Sequence, residues 1–256
     1  MPVNSIRRKV LFEMMPEGVI VTRAWLMDKG LSRHAIDNLV KSSQLESLGK
    51  GVYVRGTFKI IWESVVYTLQ SILKTDLVLG GLTALEMQGL SHYLPLSGKN
   101  LIHLYGKDEL PSWVNKILSD VMFIRHSEQN LNSRDSLRSF TVARNWKEGV
   151  GDLILSSPER AFLEVLLDVP KKISFEHADQ LMQGLTTLSP RSLQRLLELC
   201  KNVKVRRLFL WFAERQDYAW LNKLNPASID LGSGNRMLIR DGRLDKKYKI
   251  TVPVSL

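Results

Sequence analysis

Cysteine is scarce in this sequence, with Cys200 the only one among 256 residues. A lone cysteine cannot form a disulfide bond within the chain, which excludes a fold held by internal disulfides and favours a reducing compartment. Runs of about eighteen consecutive apolar residues are also absent, so the sequence predicts no membrane-spanning helix. The apolar run after Arg7, Arg8 and Lys9 is too short for the core of a signal peptide. We therefore expect a cytoplasmic protein.

Motifs of common enzymes and metal sites are missing as well. The histidines are scattered, and the sequence contains no HExxH, zinc-spaced Cys/His set, nucleophile elbow or P-loop. Gly232-Ser233 followed by 240–245 weakly resembles the acidic metal-binding pair of nucleotidyltransferases. However, Asp241-Gly242 is a preferred two-residue hairpin turn, which would place Asp245 on the returning strand. We therefore predict no catalytic residue, no metal site and no cofactor.

Acidic residues are outnumbered, and the basic excess lies at the two ends of the chain. The net charge is +10, from 36 Lys and Arg against 26 Asp and Glu. Residues 1–60 contain ten basic and five acidic residues, and residues 201–256 contain twelve basic and five acidic residues. The middle of the chain contains 14 basic and 16 acidic residues. Such an excess is typical of proteins that bind nucleic acid or, second, an anionic membrane surface. A solvated cationic surface is the alternative.

The first sixty residues have the pattern of a helix-turn-helix. Helices are predicted at 5–15, at 23–29 after the N-cap Thr22, and at 33–42 after the N-cap Ser32. Residues 45–55 predict two short strands around a Gly-Lys-Gly tip, which is typical of a cationic wing. A small helical subdomain with a hairpin is the alternative. We favour a winged helix-turn-helix over 1–58, with Gly56 as the hinge.

The third predicted helix has one polar face. At 100° per residue, its apolar residues Ala35, Ile36, Leu39 and Val40 share the opposite side. Asparagine can pair with adenine and lysine with guanine in the major groove, while other cations anchor phosphates. The residues that we expect to contact double-stranded DNA are Arg23, Arg33, His34, Asn38, Lys41, Lys50 and Arg55.

The remaining chain has signals of both helices and strands. Helices are predicted at 60–73, 82–89, 158–170, 175–185, 190–200 and 203–214. Strands are predicted at 101–105, 121–124, 152–155 and 248–252, and 127–138 is expected to be irregular. The predicted fold class is therefore α+β, a winged helix-turn-helix followed by a larger mixed α/β domain over 59–256.

A second basic cluster lies near the C-terminus. Its cations are Arg206, Arg207, Arg215, Arg236, Arg240, Arg243, Lys246, Lys247 and Lys249. Aromatic residues interleave with it at helical spacing, which favours a core role over base stacking: Phe209, Trp211, Phe212, Tyr218 and Trp220. We predict that five of these cations form a second DNA-contacting patch: Arg236, Arg240, Arg243, Lys246 and Lys247. A role in solubility or in another activity of the C-terminal domain is the alternative.

Several segments together resemble one family. Those around Gly30-Leu31-Ser32 and 48–53 resemble the N-terminal winged helix of AbiEi-type abortive-infection antitoxins. Gly80-Gly81-Leu82-Thr83-Ala84-Leu85 and Ser157-Pro158-Glu159-Arg160-Ala161-Phe162 resemble the second domain of that family, and 244–253 is similar to the ending of one subgroup.

This resemblance implies a bacterial type IV toxin-antitoxin component that protects against phage. The N-terminal domain would repress its own operon at inverted repeats, and the C-terminal domain would counter a nucleotidyltransferase-like toxin without forming a stable complex. No catalytic residue is implied. Two alternatives remain open, a plain winged-helix transcription factor with a ligand-sensing C-terminal domain and a nucleic-acid-modifying enzyme. A neighbouring nucleotidyltransferase gene would favour the antitoxin.

Overall fold

The computed structural model describes residues 13, 15–56, 58–91, 98–127, 131 and 139–256. The helix predicted at 5–15 lies almost wholly outside these residues, as does most of the predicted loop at 127–138. The chain divides into two compact units, each built from three separate segments. The first comprises Met1–Val78, Pro95–Arg125 and Ala143–Ile154, and the second comprises Leu79–Leu94, His126–Val142 and Leu155–Leu256.

The described strands and helices alternate in a mixed α+β order, as the sequence predicts. In chain order they are β1 (Ile20–Thr22), α1 (Arg23–Asp28), α2 (Arg33–Lys41), β2 (Leu45–Gly49), β3 (Val52–Arg55), α3 (Trp62–Tyr67), β4 (Val78–Leu79), α4 (Gly81–Met87), β5 (Asn100–Tyr105), α5 (Val114–Ile117), β6 (Val121–His126), β7 (Thr141–Lys147), β8 (Gly151–Ser156), α6 (Pro158–Asp168), α7 (Phe175–Gln183), α8 (Pro190–Leu199), α9 (Val203–Gln216), β9 (Arg243–Asp245) and β10 (Ile250–Val252).

The first unit begins with a small antiparallel sheet of order β1-β3-β2, against which α1 and α2 pack. One core lies beneath these elements, formed by the buried residues Met15, Val19, Val21, Leu26, Ile36, Leu39, Leu45 and Tyr53. Helix α3 continues as a π-helical turn over Thr68–Ile72, and the Thr68 hydroxyl donates to the Ile20 carbonyl at 2.8 Å. This bond fixes the turn to strand β1.

A five-stranded sheet follows, with strand order β6-β5-β4-β8-β7. The side chain of Gln70 donates to the carbonyls of Leu77 and Ile154 at 3.0 and 2.9 Å and accepts the Ile154 N–H at 2.9 Å. Strands β5, β6 and β8 confirm the strands predicted there. Strand β7 is missing from the prediction, because its sequence TVARNWK is polar and its residues are half-buried or exposed.

The second unit is mostly helical. Helices α6 to α9 confirm the four helices predicted from Pro158 onward. Each is preceded by a residue whose side chain caps its N-terminus: Ser157, Ser174, Ser189 and Asn202. Their core holds an aromatic cluster in which Phe162, Phe209 and Trp220 pack at centroid distances of 6.0 Å. Trp211 and Phe212 are also buried, so these aromatic side chains form core rather than stacking platforms.

The C-terminal hairpin differs from the one predicted. Asp241 lies in a turn with a φ of 56°, but the paired strands β9 and β10 both follow it. The turn that joins them spans 246–249, where the Asp245 carboxylate accepts the Tyr248 N–H at 2.8 Å. The prediction is therefore right in placing Asp241 in a turn and Asp245 on the strand after it, but wrong in making this turn a two-residue hairpin. The reversal between the paired strands lies at 246–249, where the Asp245 carboxylate caps the turn.

Candidate nucleic-acid interface

Helices α1 and α2 are joined by a short turn whose ends are fixed by side-chain caps. The Thr22 hydroxyl accepts the Trp25 N–H at 3.2 Å, and the Ser32 hydroxyl accepts the Ala35 N–H at 3.1 Å. Between the helices, Gly30 has a φ of 89°, a conformation that other residues rarely adopt. These local signals set the positions at which α1 ends and α2 begins.

The polar face of α2 lies at the protein surface. Ile36 and Leu39 are buried in the core beneath the helix. The opposite side is exposed, and its side chains are Arg33, His34, Asp37, Asn38 and Lys41. The structure thus brings together the four α2 residues that the sequence proposes as DNA contacts, and it places the carboxylate of Asp37 among them.

Arg23, which the sequence predicts as a phosphate anchor, is held by two neighbouring side chains. Its Nε donates to the Tyr53 hydroxyl at 2.9 Å, and its Nη2 contacts the Asp37 carboxylate at 3.2 Å. The hydrogen bond to Tyr53 raises the pKa of Arg23 above its usual value. Sequence reasoning missed the contacts of Arg23 with Asp37 and Tyr53, because they join α1 to residues 14 and 30 positions away. Arg23 therefore links α1, α2 and the wing.

The wing is short and carries one cation at its tip. Strands β2 and β3 are joined by Lys50 and Gly51, and Lys50 is exposed. The Arg23 N–H donates to the Gly51 carbonyl at 2.8 Å, which holds the tip beside the start of α1. Arg55 instead pairs with Leu45 at the base of the hairpin and is half-buried. Lys50 and Arg55 therefore lie at opposite ends of the wing.

The proposed second patch is exposed at the C-terminal end of the chain. Its members surround the β9–β10 hairpin and are all exposed: Arg236, Arg240, Arg243, Lys246 and Lys247. Lys247 forms an ion pair with Glu214, so its charge is partly compensated. Burial and the neighbouring Glu214 carboxylate raise the pKa of the adjacent Tyr248.

Three further arginines of the C-terminal cluster have structural partners. Arg207 is buried and donates to the carbonyls of Leu231, Gly234 and Lys249 at 2.7, 2.8 and 3.0 Å, and to that of Ser233 at 3.3 Å. Arg206 is also buried, and Arg215 pairs with Asp179 at 3.2 Å. Arg206 and Arg207 lie outside the predicted patch, and α9 buries both of them.

The two segments that carry the family resemblance in the second unit meet at a buried carboxylate. Glu164 accepts the Gly81 N–H at 2.8 Å, the Arg160 Nε–H at 2.7 Å and the Ser156 hydroxyl at 3.0 Å. Burial raises the pKa of Glu164, and Arg160 and the Gly81 N–H oppose that rise. Glu159 accepts the Ser189 N–H at 2.7 Å. The residues of these segments therefore hold α4, α6 and the start of α8 together.

Within the part of the chain that the structure describes, no group of three or more His, Cys, Asp or Glu residues could hold a metal ion. Burial lowers the pKa of His126 and of His177, which favours their neutral forms. His92 lies outside the described residues. No helix among the described ranges is both long and apolar enough to span a bilayer.

The fold and the exposed polar helix define a winged helix-turn-helix protein with a larger mixed α/β part. A family model described as the AbiEi antitoxin N-terminal domain of a transcriptional regulator matches residues 4–96, and one described as a transcriptional regulator, AbiEi antitoxin of a type IV toxin-antitoxin system, matches 99–253. The chain belongs to the AbiEi antitoxin family of transcriptional regulators. This confirms the resemblance noted in the sequence.

One solved structure is similar over almost the whole chain. It is the crystal structure of the RV2827C protein from Mycobacterium tuberculosis, with a TM-score of 0.54 and 17% sequence identity. The match covers 97% of this chain and 88% of that one. At this identity the likeness supports the fold alone. No match was found among curated proteins.

Proposed function

We propose that the protein is the antitoxin and transcriptional autorepressor of a type IV toxin-antitoxin operon. Its winged helix binds inverted repeats in the operator, and residues beyond 58 counter a nucleotidyltransferase-like toxin without a stable complex. The observation that carries the proposal is the exposed polar face of α2, together with the exposed Lys50 at the tip of the wing, in a chain of the AbiEi family. The function needs neither a catalytic residue nor a cofactor.

The chemistry of α2 supports insertion into the major groove. Asn38 and Lys41 lie one turn apart, so both can reach base edges or nearby phosphates from one face. Arg33 and His34 stand at the N-terminal end of the helix, where backbone N–H groups already favour anions. The pairing of Arg23 with Asp37 neutralises a carboxylate that would otherwise repel phosphate.

Repression is tested by band shifts with the promoter of the chain's own gene. The full-length protein should shift this DNA, and the double variant Asn38→Ala/Lys41→Ala should not. The matched control is Asn145→Ala/Arg144→Ala, which likewise removes one exposed amide and one exposed cation, from β7. Equal binding by both double variants would refute operator recognition by α2.

Antitoxicity is tested by co-expression with a toxin gene adjacent to this one, scored as rescue of growth. The α2 double variant should still rescue, because its changes leave the chain beyond residue 58 intact. Point variants are preferable to deletion of 1–60, since Thr68 bonds to Ile20 and the π-helical turn packs on β1. Loss of rescue by a folded α2 variant would contradict this division of labour.

A further inference from the structure

Helix α8 forms one wall of an open groove in the second unit. The groove has a volume of about 770 Å³ and is lined by Pro190, Arg191, Gln194, Arg195, Glu198, Leu199 and Lys223. Lys223 belongs to the short 3₁₀ turn at Leu221–Lys223, so cations approach the groove from two separate elements. A volume of this order matches one small organic molecule and is too small for a nucleic-acid duplex.

The three cations of the groove, Arg191, Arg195 and Lys223, are exposed. Among the described residues, the structure shows no hydrogen bond or ion pair that engages any of their side chains. Arg191 and Arg195 also lie four positions apart on α8, where two like charges repel each other. A bound anion would relieve this repulsion, and guanidinium groups are well suited to phosphate because they can donate two parallel hydrogen bonds.

The frame around these cations is fixed by polar contacts. Gln194 accepts the Asn225 N–H at 2.8 Å, and its amide donates to the Ser228 hydroxyl at 2.8 Å and to Glu198 at 2.7 Å. Hydrogen bonds from Gln194 and Ser228 lower the pKa of Glu198, which stays ionised. This network ties α8 to residues 225–228, so the groove needs little rearrangement before a ligand binds.

We propose that the groove between α8 and the Leu221–Lys223 turn binds the phosphate chain of a small molecule such as a nucleoside triphosphate. Arg191 and Arg195 hold phosphate oxygens from one side, and Lys223 holds them from the other. The apolar parts of Pro190 and Leu199 contact the remainder of the ligand. This site goes beyond the proposed DNA and antitoxin functions, and neither is needed to test it.

The site is tested by isothermal titration of the full-length protein with ATP and, separately, with inorganic tripolyphosphate. We expect saturable binding of one ATP per chain. The double variant Arg191→Gln/Arg195→Gln should weaken binding by about tenfold or more, and Lys223→Gln should weaken it as well. The matched control Arg144→Gln/Lys171→Gln removes the same net charge from exposed positions outside the groove and should bind like the unchanged protein.

The possible results distinguish which part of the ligand is recognised and whether the groove is the binding site. Tripolyphosphate binding as tight as that of ATP supports the site and identifies the phosphate chain as the recognised part. Absence of saturable ATP binding overturns the proposal, and so does equal weakening by the control variant. If Lys223→Gln binds ATP as tightly as the unchanged protein, the proposal that cations hold the phosphates from both sides of the groove is wrong. Tighter binding of a single-stranded oligonucleotide or an oligoglutamate peptide than of ATP would replace the small-molecule ligand with a macromolecular one.

Discussion

Arginine serves two physical purposes in this chain, and its surroundings decide which. Arg160 and Arg207 are buried and saturated by a carboxylate or by backbone carbonyls. Arg33 and Arg191 are exposed, so their charges remain available to a polyanion. Every arginine adds one positive charge to the net charge, whether its side chain is buried or exposed. Only the exposed ones contribute to a nucleic-acid or phosphate interface, which explains why net charge alone overstates the binding surface.

At the residue scale, base-reading and phosphate-contacting side chains should behave differently. Lys41→Ala and Lys50→Ala should weaken binding to all DNA sequences and reduce the slope of log K against log salt by roughly 0.9 per phosphate contact. Asn38→Ala should instead relax discrimination at one base pair, at a cost of about 1 to 3 kcal/mol for a bidentate contact. Band shifts at several salt concentrations on operator and mutated DNA measure both effects. Identical behaviour of all three variants would argue against the proposed roles.

The buried Glu164 should be essential for stability. Glu164→Gln keeps the shape of the side chain but leaves the charge of Arg160 uncompensated in the core. Breaking a buried pair in this way costs roughly 3 to 5 kcal/mol. Urea unfolding followed by circular dichroism should show this loss, whereas the control Glu176→Gln, an exposed position on α7, should change stability little. A midpoint unchanged by Glu164→Gln would contradict a structural role for the pair.

At the element scale, helices are predictable here because capping residues mark where they begin. Ser157, Ser174 and Ser189 each precede an apolar repeat and each cap a helix in the structure. Strand β7 gives no such signal, since polar residues at its exposed positions hide the alternation. Long-range side-chain contacts, such as that of Gln70 with Ile154, cannot be predicted either, because nothing near Gln70 in the sequence indicates its partner.

The candidate site shows the same division between local and distant causes. The outward face of α2 follows from helical periodicity, so its exposed residues are predictable. The burial of Arg207 is not, because its cage of carbonyls comes from residues 24 to 42 positions later. Similarly, the groove of α8 depends on the return of 221–228 to the helix, as the bond between Gln194 and Asn225 shows.

Arg207 should act as the clamp of the C-terminal segment. Arg207→Met removes the donors to the carbonyls of Leu231, Gly234 and Lys249, which lie in partly buried surroundings. The loss of a hydrogen bond of this kind costs about 1 kcal/mol or more. Amide hydrogen exchange across 231–251 should accelerate about tenfold or more. The control Arg236→Met retains the backbone bonds of that residue to Lys249 and Thr251 and should exchange normally. Unchanged protection in Arg207→Met would assign the clamp to other contacts.

At the scale of the whole molecule, neither compact unit is one continuous stretch of the sequence. The segments of the two units alternate along the chain, with boundaries near residues 78, 94, 125, 142 and 154. The hydrophobic pattern of a helix or strand predicts which of its sides is buried, but it does not indicate which distant segment covers that side. A functional division at residue 58 therefore remains a proposal, and the variants that test it are best made in the full-length protein.

The last prediction concerns the basic patch around the β9–β10 hairpin, which we propose adds phosphate contacts to those of the winged helix. A variant replacing Arg236, Arg240, Arg243 and Lys246 with Gln leaves Lys247 paired with Glu214 and preserves the hairpin. If the patch touches DNA, operator affinity should fall and the salt slope should decrease by roughly 0.9 for each phosphate that the variant no longer neutralises. Any bending needed to reach the patch would cost on the order of 1 to 6 kcal/mol, which these ionic interactions would have to offset.

The control for this variant replaces four exposed cations elsewhere with Gln, namely Lys99, Lys116, Arg144 and Lys171. It changes the net charge equally, so a matching loss of affinity would reveal a general charge effect rather than a patch. Unchanged affinity and salt slope in the patch variant would exclude a DNA contact there. Loss of growth rescue with DNA binding intact would instead assign the patch to toxin neutralisation, because the same charges would then be required only when the toxin is present.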